Sequence, residues 1–73
     1  MIKINTRVVV NMDTHLEFGI VTRTWKRQGV RYYDVKSEKG SLLEGLTTEP
    51  AGLVYINEEL TNKLNNNKFK LKI

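Results

Sequence analysis

Short β-forming segments, separated by turns that contain glycine or proline, follow one another along the chain, and this pattern constrains the fold most. The segments are rich in the β-branched and aromatic residues that favour strands. They cover residues 7–12, 17–25, 30–36, 41–47 and 53–56. Because only one stretch has a helical signal, the sequence predicts a mostly β protein. We expect a small antiparallel barrel of five to six strands with one short helical turn.

Glycine and proline mark the boundaries between these segments. The sequence Lys26-Arg27-Gln28-Gly29 separates two β segments and ends in glycine, which indicates a hairpin. Gly40 permits a tight turn with positive φ, and Pro50 cannot donate a hydrogen bond to a sheet. Gly19 lies inside a β segment, so we expect a bulge or a strong bend there.

The helical signal begins at Asn57, whose side chain is a good N-cap. Glu58 and Glu59 follow in the first turn, where the helix dipole favours acidic side chains. Leu60 and Leu64 are four positions apart and share one face. We expect a helix of at most two turns.

Apolar residues alternate with lysines at both ends of the chain. We expect the helix to end at Asn65–Asn67, after which Lys68, Lys70 and Lys72 alternate with Phe69, Leu71 and Ile73. Residues 2–4 have the same pattern. The alternation predicts a strand with one wet face at each end, and pairing of the two strands would close the sheet. Lysines on an edge strand commonly protect it from aggregation, so the row is a binding surface only if it lies beside the basic hairpin.

One domain, residues 1–73, accounts for the whole chain. A domain of this size buries about 60% of its unfolded surface. Cysteine is absent, so no disulfide supports the fold, and stability must come from an efficient core or from oligomerisation. The expected core residues are Val8, Val10, Ile20, Val21, Tyr33, Val35, Leu43, Leu46, Val54, Ile56, Leu60 and Leu64.

Charge is distributed unevenly along the chain. Residues 23–36 hold five cations against Asp34 alone, whereas residues 37–59 hold five acids against Lys39 alone. In residues 60–73 every charged residue is a lysine. Two basic segments therefore flank an acidic one, which bears on partners rather than on fold. The acidic stretch could be solvated surface, or it could meet a basic partner or a second copy of the chain.

The order of these segments resembles that of SH3-like small barrels. Residues 7–10 resemble the opening strand, and Gly19-Ile20-Val21-Thr22 resembles the start of the second strand. Residues 32–36 with Gly40 resemble the central hairpin, and residues 54–60 resemble the late strand and helical turn. The resemblance implies a binding module, since Tudor-like, KOW-like and chromo-like barrels mostly bind nucleic acid or protein.

One enzyme class shares this architecture, the plasmid-borne type II dihydrofolate reductases. Their signature is Val-Gln-Ile-Tyr, and the matching stretch here is Val54-Tyr55-Ile56-Asn57. The Gln and Tyr that contact ligands in that class have no counterpart in place, so reductase activity is only a remote alternative. We expect no enzymatic activity.

The segment from Arg23 to Arg31 is the most distinctive part of the sequence, because it combines cations with a tryptophan at a hairpin tip. Cations neutralise phosphates, and planar side chains stack on bases. The candidate binding residues for nucleic acid or another partner are Arg23, Trp25, Lys26, Arg27, Arg31 and Tyr32. The alternative is a solvated hairpin whose Trp25 folds back over the end of the barrel.

Other chemistry has little support in the sequence. His15 is the only histidine, and one histidine with two spaced acids is too few ligands for a metal site. No phosphate-binding glycine motif is present. We expect no catalytic residues, no metal and no cofactor.

The expected setting is cytoplasmic, which would be the host cytoplasm if the protein is encoded by a phage. The longest apolar run is far too short for a membrane span, so no membrane partner is expected. AT-rich genomes favour the richness in Asn, Lys and Ile, and small solitary barrels are common among phage and mobile-element proteins. The expected partner is nucleic acid, or alternatively a host or virion protein in a host-takeover or accessory role, and a homo-oligomer is possible.

Overall fold

The computed structural model describes residues 2–50 and 52–70. The elements are β1 (Arg7–Asn11), β2 (Leu16–Arg27), β3 (Val30–Ser37), β4 (Leu42–Leu46), β5 (Tyr55–Ile56) and α1 (Glu58–Lys70). The strands form one antiparallel sheet in the order β4-β3-β2-β1-β5. The expected mostly β fold is confirmed: the described residues form five antiparallel strands, where five to six were expected, and one short helix.

The sheet curls into a half-barrel, and its two edges approach each other at one end. The Ile56 amide of β5 donates a hydrogen bond of 2.8 Å to the carbonyl oxygen of Thr47, which directly follows β4. This bond joins the first and last strands of the sheet order. At this coarse level the architecture is compatible with an SH3-like barrel.

Register shifts help the long strand β2 to curve, but they do not lie at Gly19 as expected. β2 has one extra residue between Val21 and Arg23 relative to β3, and a second shift lies where β3 meets β4. Gly19 has a different role, because a Cβ there would lie 2.6 Å from the backbone oxygen of Lys36. β2 and β3 therefore approach too closely at this point for any side chain.

The core fills the inside of the curled sheet. Its buried apolar residues are Val8, Val10, Val21, Tyr33, Val35, Leu46 and Ile56, all of which the sequence predicted. Ile20, Leu43, Leu60 and Leu64 are half-buried. The expectation that Val54 belongs to the core is wrong, because β5 begins only at Tyr55 and Val54 is 39% exposed. Val9, which was not expected in the core, is buried on the outer face of β1, where α1 packs.

The helix is longer than expected, and the predicted C-terminal strand is wrong for residues 68–70. α1 runs from Glu58 to Lys70, while Leu71, Lys72 and Ile73 lie outside the described residues. Asn65 does not end the helix, because its side-chain amide donates to the Thr61 carbonyl oxygen at 2.9 Å and to the Arg7 carbonyl oxygen at 3.3 Å. These bonds hold Asn65 inside the helix and against β1.

The predicted strand at residues 2–4 is also absent from the sheet. The segment instead crosses to β2, where Val21 donates to the Thr6 carbonyl oxygen at 3.0 Å and Asn5 donates to the Val21 carbonyl oxygen at 2.7 Å. The Ile2 amide donates to the Tyr33 hydroxyl at 3.2 Å. The described residues thus show the sheet ends joined through Thr47 and Ile56, not through paired terminal strands.

Candidate nucleic-acid interface

The tip of the β2–β3 hairpin is set by a tight turn at Gln28 and Gly29. Both residues have positive φ, 53° and 80°, as a two-residue type I′ turn requires. The turn pairs Arg27 with Val30 and fixes the register of the strands behind it, so that Trp25 lies opposite Tyr32. The predicted hairpin is confirmed.

Trp25 and Tyr32 form a stacked aromatic pair on this hairpin. Their ring centroids are 5.7 Å apart and the ring planes differ by 20°. The guanidinium carbon of Arg23, two positions before Trp25 on the same strand, lies 4.6 Å from the centroid of the Trp25 ring. Such an exposed cation–π contact contributes about 0.5–1 kcal/mol. Three of the predicted site residues are therefore in one cluster.

Trp25 does not cover the end of the barrel core. It is half-buried and lies outside the core cluster, whose partly buried neighbours are Ile2, Met12 and Leu43. The register places Trp25 opposite Tyr32, on the face away from Tyr33, which belongs to the core. The burial of Trp25 thus comes from its contact with Tyr32 and Arg23 on the outer face of the hairpin.

The predicted cations divide between the two faces of the hairpin. Side chains alternate along a strand, so Arg23 and Arg27 share the face of Trp25. Lys26 and Arg31 are paired across the strands and lie on the other face. The structure therefore brings Arg23, Trp25, Arg27 and Tyr32 together, with Lys26 and Arg31 behind them.

Positive charge at the tip is not neutralised by neighbouring acids. Arg23 Nε lies 4.0 Å from the buried carboxylate of Asp34, at the long limit of an ion pair. Within residues 2–50 and 52–70, Lys26, Arg27 and Arg31 form no ion pair. The tip is therefore an exposed cationic surface around an aromatic pair.

A hollow of about 330 Å³ opens beside the aromatic pair. Its walls are formed by Trp25, Arg27, Gln28, Tyr32 and Gly45. Gly45 reaches the hollow because β4 pairs with β3, and a Cβ at this position would meet no atom within 4 Å. The wall at Gly45 is therefore backbone facing open space.

Asp34 fixes the position of this wall. Asp34 is 5% exposed, and its Oδ1 accepts a hydrogen bond of 3.0 Å from the Gly45 amide. Gln28, Asp34 and Gly45 were not among the predicted site residues. The interruption of the β4 segment by Gly45 was the one signal in the sequence, but only strand pairing shows that it faces the hairpin.

In its described part, the second basic row is helical and is not the expected edge strand. Lys68 and Lys70 belong to α1, which packs against β1, and Lys72 lies outside the described residues. β1 pairs with β2 along Leu16–Ile20, the half of β2 away from the hairpin tip.

His15 lies in the turn between β1 and β2, far from the hairpin tip along β2. Its Nε2 is 2.8 Å from Glu17 Oε2, and this hydrogen bond lowers the pKa of Glu17. Among the described residues, no group of three or more His, Cys, Asp or Glu side chains is placed to hold a metal ion.

A second surface feature is an apolar groove between the sheet and the helix. It is lined by Val9, Leu16, Phe18, Leu60, Lys63 and Leu64. Leu16 and Phe18 are 45% and 38% exposed. Phe18 is seven positions before Trp25 on β2, roughly 20 Å at the strand rise, so groove and hairpin tip are separate surfaces.

Comparison of the chain with protein-family models, with curated proteins and with solved structures finds no match in any of the three. In the described part of the chain, no helix has the length and apolar character needed to cross a membrane.

Proposed function

We propose that this protein is a non-enzymatic nucleic-acid-binding module that uses the tip of the β2–β3 hairpin. The observation that carries the proposal is the stacked Trp25–Tyr32 pair with Arg23 and Arg27 on the same face. Aromatic rings offer stacking surfaces to bases, and arginines neutralise phosphates. The proposal agrees with the resemblance to Tudor-like and KOW-like barrels, many of which bind nucleic acid.

Electrostatics favours an anionic ligand over a cationic one. An aromatic pair is also suited to hold an alkylated ammonium group. Here, however, four cations lie within residues 23–31, and Asp34, which is paired with Arg23 across the strands, is buried and engaged with Gly45. Like charges at this spacing repel a cationic ligand and attract a polyanion. A phosphate backbone therefore suits the tip better than a methylated lysine.

The test is a salt titration of binding to mixed DNA and RNA oligomers. Each phosphate neutralised contributes a slope of about −0.9 in log affinity against log salt on duplex DNA and about −0.7 on single strands. Arg23→Ala and Arg27→Ala should each reduce the magnitude of this slope by about one phosphate contact. Trp25→Ala should weaken binding by roughly 1–3 kcal/mol at nearly constant slope.

Lys39→Ala is the matched control, because Lys39 is exposed in the turn at the opposite end of β3 from the tip. It removes the same charge and should leave both affinity and slope close to those of the unchanged protein. Absence of binding to any oligomer at low salt would refute the proposal. A slope that falls equally in Lys39→Ala and Arg27→Ala would show diffuse charge attraction instead of a site at the tip.

Protein interaction or assembly is the second candidate function, in a host-takeover or virion role if the protein comes from a phage. It is favoured by the exposed apolar side chains of Leu16 and Phe18, which a nucleic-acid module does not require. A second copy of the chain is one such partner. Sedimentation that shows self-association, together with no oligonucleotide binding at low salt, would favour this function. A lack of NADPH-dependent reduction would remove the remote type II reductase alternative.

A further inference from the structure

The hollow beside Trp25 and Tyr32 has the size and chemistry of a site for one planar group. Its volume of about 330 Å³ is at the lower end of the range of small-molecule sites, roughly 300–1,000 Å³. Two aromatic rings form one side, and the backbone of Gly45 leaves the other side free of a side chain. Arg27 lines the same hollow and brings a guanidinium group that pairs with phosphate.

A base can reach these rings only when it is not paired in a duplex. In a double helix the faces of the bases are covered by their neighbours, and proteins contact the edges of the bases in the grooves. Unpaired bases can turn outward and stack on tyrosine or tryptophan. The feature on the outer face of this hairpin is an aromatic pair beside a hollow, and such a pair offers ring surfaces on which the face of a base can stack.

We propose that the hollow takes one unpaired base of a single-stranded nucleic acid, with Arg23 and Arg27 neutralising the phosphates on either side of it. This inference rests on the proposed function and adds the class of ligand. It places Trp25 and Tyr32 as the stacking surface. Arg27 and Arg23 lie on the same face and flank that surface along β2.

The stiffness of the site supports this assignment. The type I′ turn fixes the hairpin, and the Asp34 carboxylate on β3 holds Gly45 through a hydrogen bond of 3.0 Å from the Gly45 amide to Asp34 Oδ1. The hydroxyl of Thr24 donates to the Tyr32 carbonyl oxygen at 3.0 Å, a further link between β2 and β3 at the aromatic pair. A surface that is already ordered loses less entropy when a ligand binds.

The experiment compares three probes on the whole protein at the same low salt. They are a thymidine oligomer of about 12 nucleotides, an abasic oligomer with the same number of phosphates, and a duplex of equal length, since single-strand binders of this size cover about 4–16 nucleotides. Binding is followed by anisotropy of labelled probes. Because Trp25 is the only tryptophan in the chain, its fluorescence reports directly on stacking.

We expect the thymidine oligomer to bind about 5- to 150-fold more tightly than the abasic oligomer, the range that one stacked base provides. It should quench Trp25, and the abasic oligomer should not. Trp25→Ala should reduce thymidine binding to the abasic level. If this variant does not fold, Trp25→Phe keeps a ring and should keep the preference for the thymidine oligomer, while Tyr32→Ala should weaken it. A uridine oligomer tests RNA, and base-dependent binding of either strand supports the proposal.

Two results separate failure of this inference from failure of the proposed function. Equal binding of the thymidine and abasic oligomers, or duplex binding as tight as single-strand binding, would overturn the unpaired-base site and leave nucleic-acid binding intact. Absence of binding to all the probes would overturn both.

Discussion

The close approach of β2 and β3 at Gly19 gives the sharpest stability prediction for the fold. In Gly19→Ala the new Cβ would lie 2.6 Å from the Lys36 backbone oxygen and 2.6 Å from Val35 Cγ1. The Val35 methyl can move, but the oxygen belongs to the adjacent strand and cannot yield without opening the sheet. Overpacking of this kind costs about 1–3 kcal/mol. A chain of 73 residues has a total stability of only about 4–11 kcal/mol, so the loss is a large share.

The assay is thermal unfolding followed by far-ultraviolet circular dichroism. For a domain of 60–100 residues, 1 kcal/mol corresponds to about 4–8 °C, so Gly19→Ala should lower Tm by about 4–24 °C. Gly52→Ala is the matched control: a Cβ there meets nothing within 4 Å, and neither glycine has the positive φ that would itself strain alanine. The control should be unchanged or up to about 1 kcal/mol more stable. Equal Tm values for the two variants would refute the close-approach argument.

Two further predictions concern the helix and the turn before β2. Thr61→Val should destabilise the protein by about 1–3 kcal/mol in chemical denaturation, because it leaves the buried Val9 amide without its hydrogen-bond acceptor. Thr61→Ser keeps the hydroxyl and should destabilise the protein clearly less. An equal loss of stability in the two variants would contradict this role of the hydroxyl. His15→Ala should raise the pKa of Glu17 toward its ordinary value of 4.5, as measured by NMR titration of the side-chain carboxyl. Since the pKa of Glu17 is lowered in the folded protein, the contribution of this pair to stability is present at neutral pH and is lost as the pH falls through the lowered pKa. An unchanged Glu17 pKa in His15→Ala would show that the hydrogen bond does not cause the lowered pKa.

The hairpin illustrates how far local sequence reaches. Gln28-Gly29 can adopt the positive φ of a type I′ turn, and this turn alone fixes which residues pair behind it. Trp25 and Tyr32 are equidistant from the turn, so their pairing follows from the chain itself. The division of the cations between two faces also follows from strand alternation. The hollow does not, because its Gly45 wall comes from β4, which is not part of the hairpin.

The C-terminal segment shows where sequence patterns fail. The alternation of lysine with apolar residues after Asn67 is typical of a strand, but a strand also needs an unoccupied edge to pair with. The helix satisfies its own backbone hydrogen bonds and can therefore continue to Lys70. Its contact with β1 through Thr61 and Asn65 stabilises it there, and no local pattern reveals that contact.

The sequence by itself determined the β segments, their turns, the hairpin register and most of the core, since these depend on side-chain alternation and on the φ angles that glycine permits. Only the tertiary structure decided that Val9 is buried beneath α1, that Val54 is exposed, and that Gly19 marks a close strand contact. It also decided that Trp25 lies on the outer face beside Gly45. These outcomes depend on which elements lie next to each other in space, and contacts between residues distant in sequence leave no periodic trace in the chain.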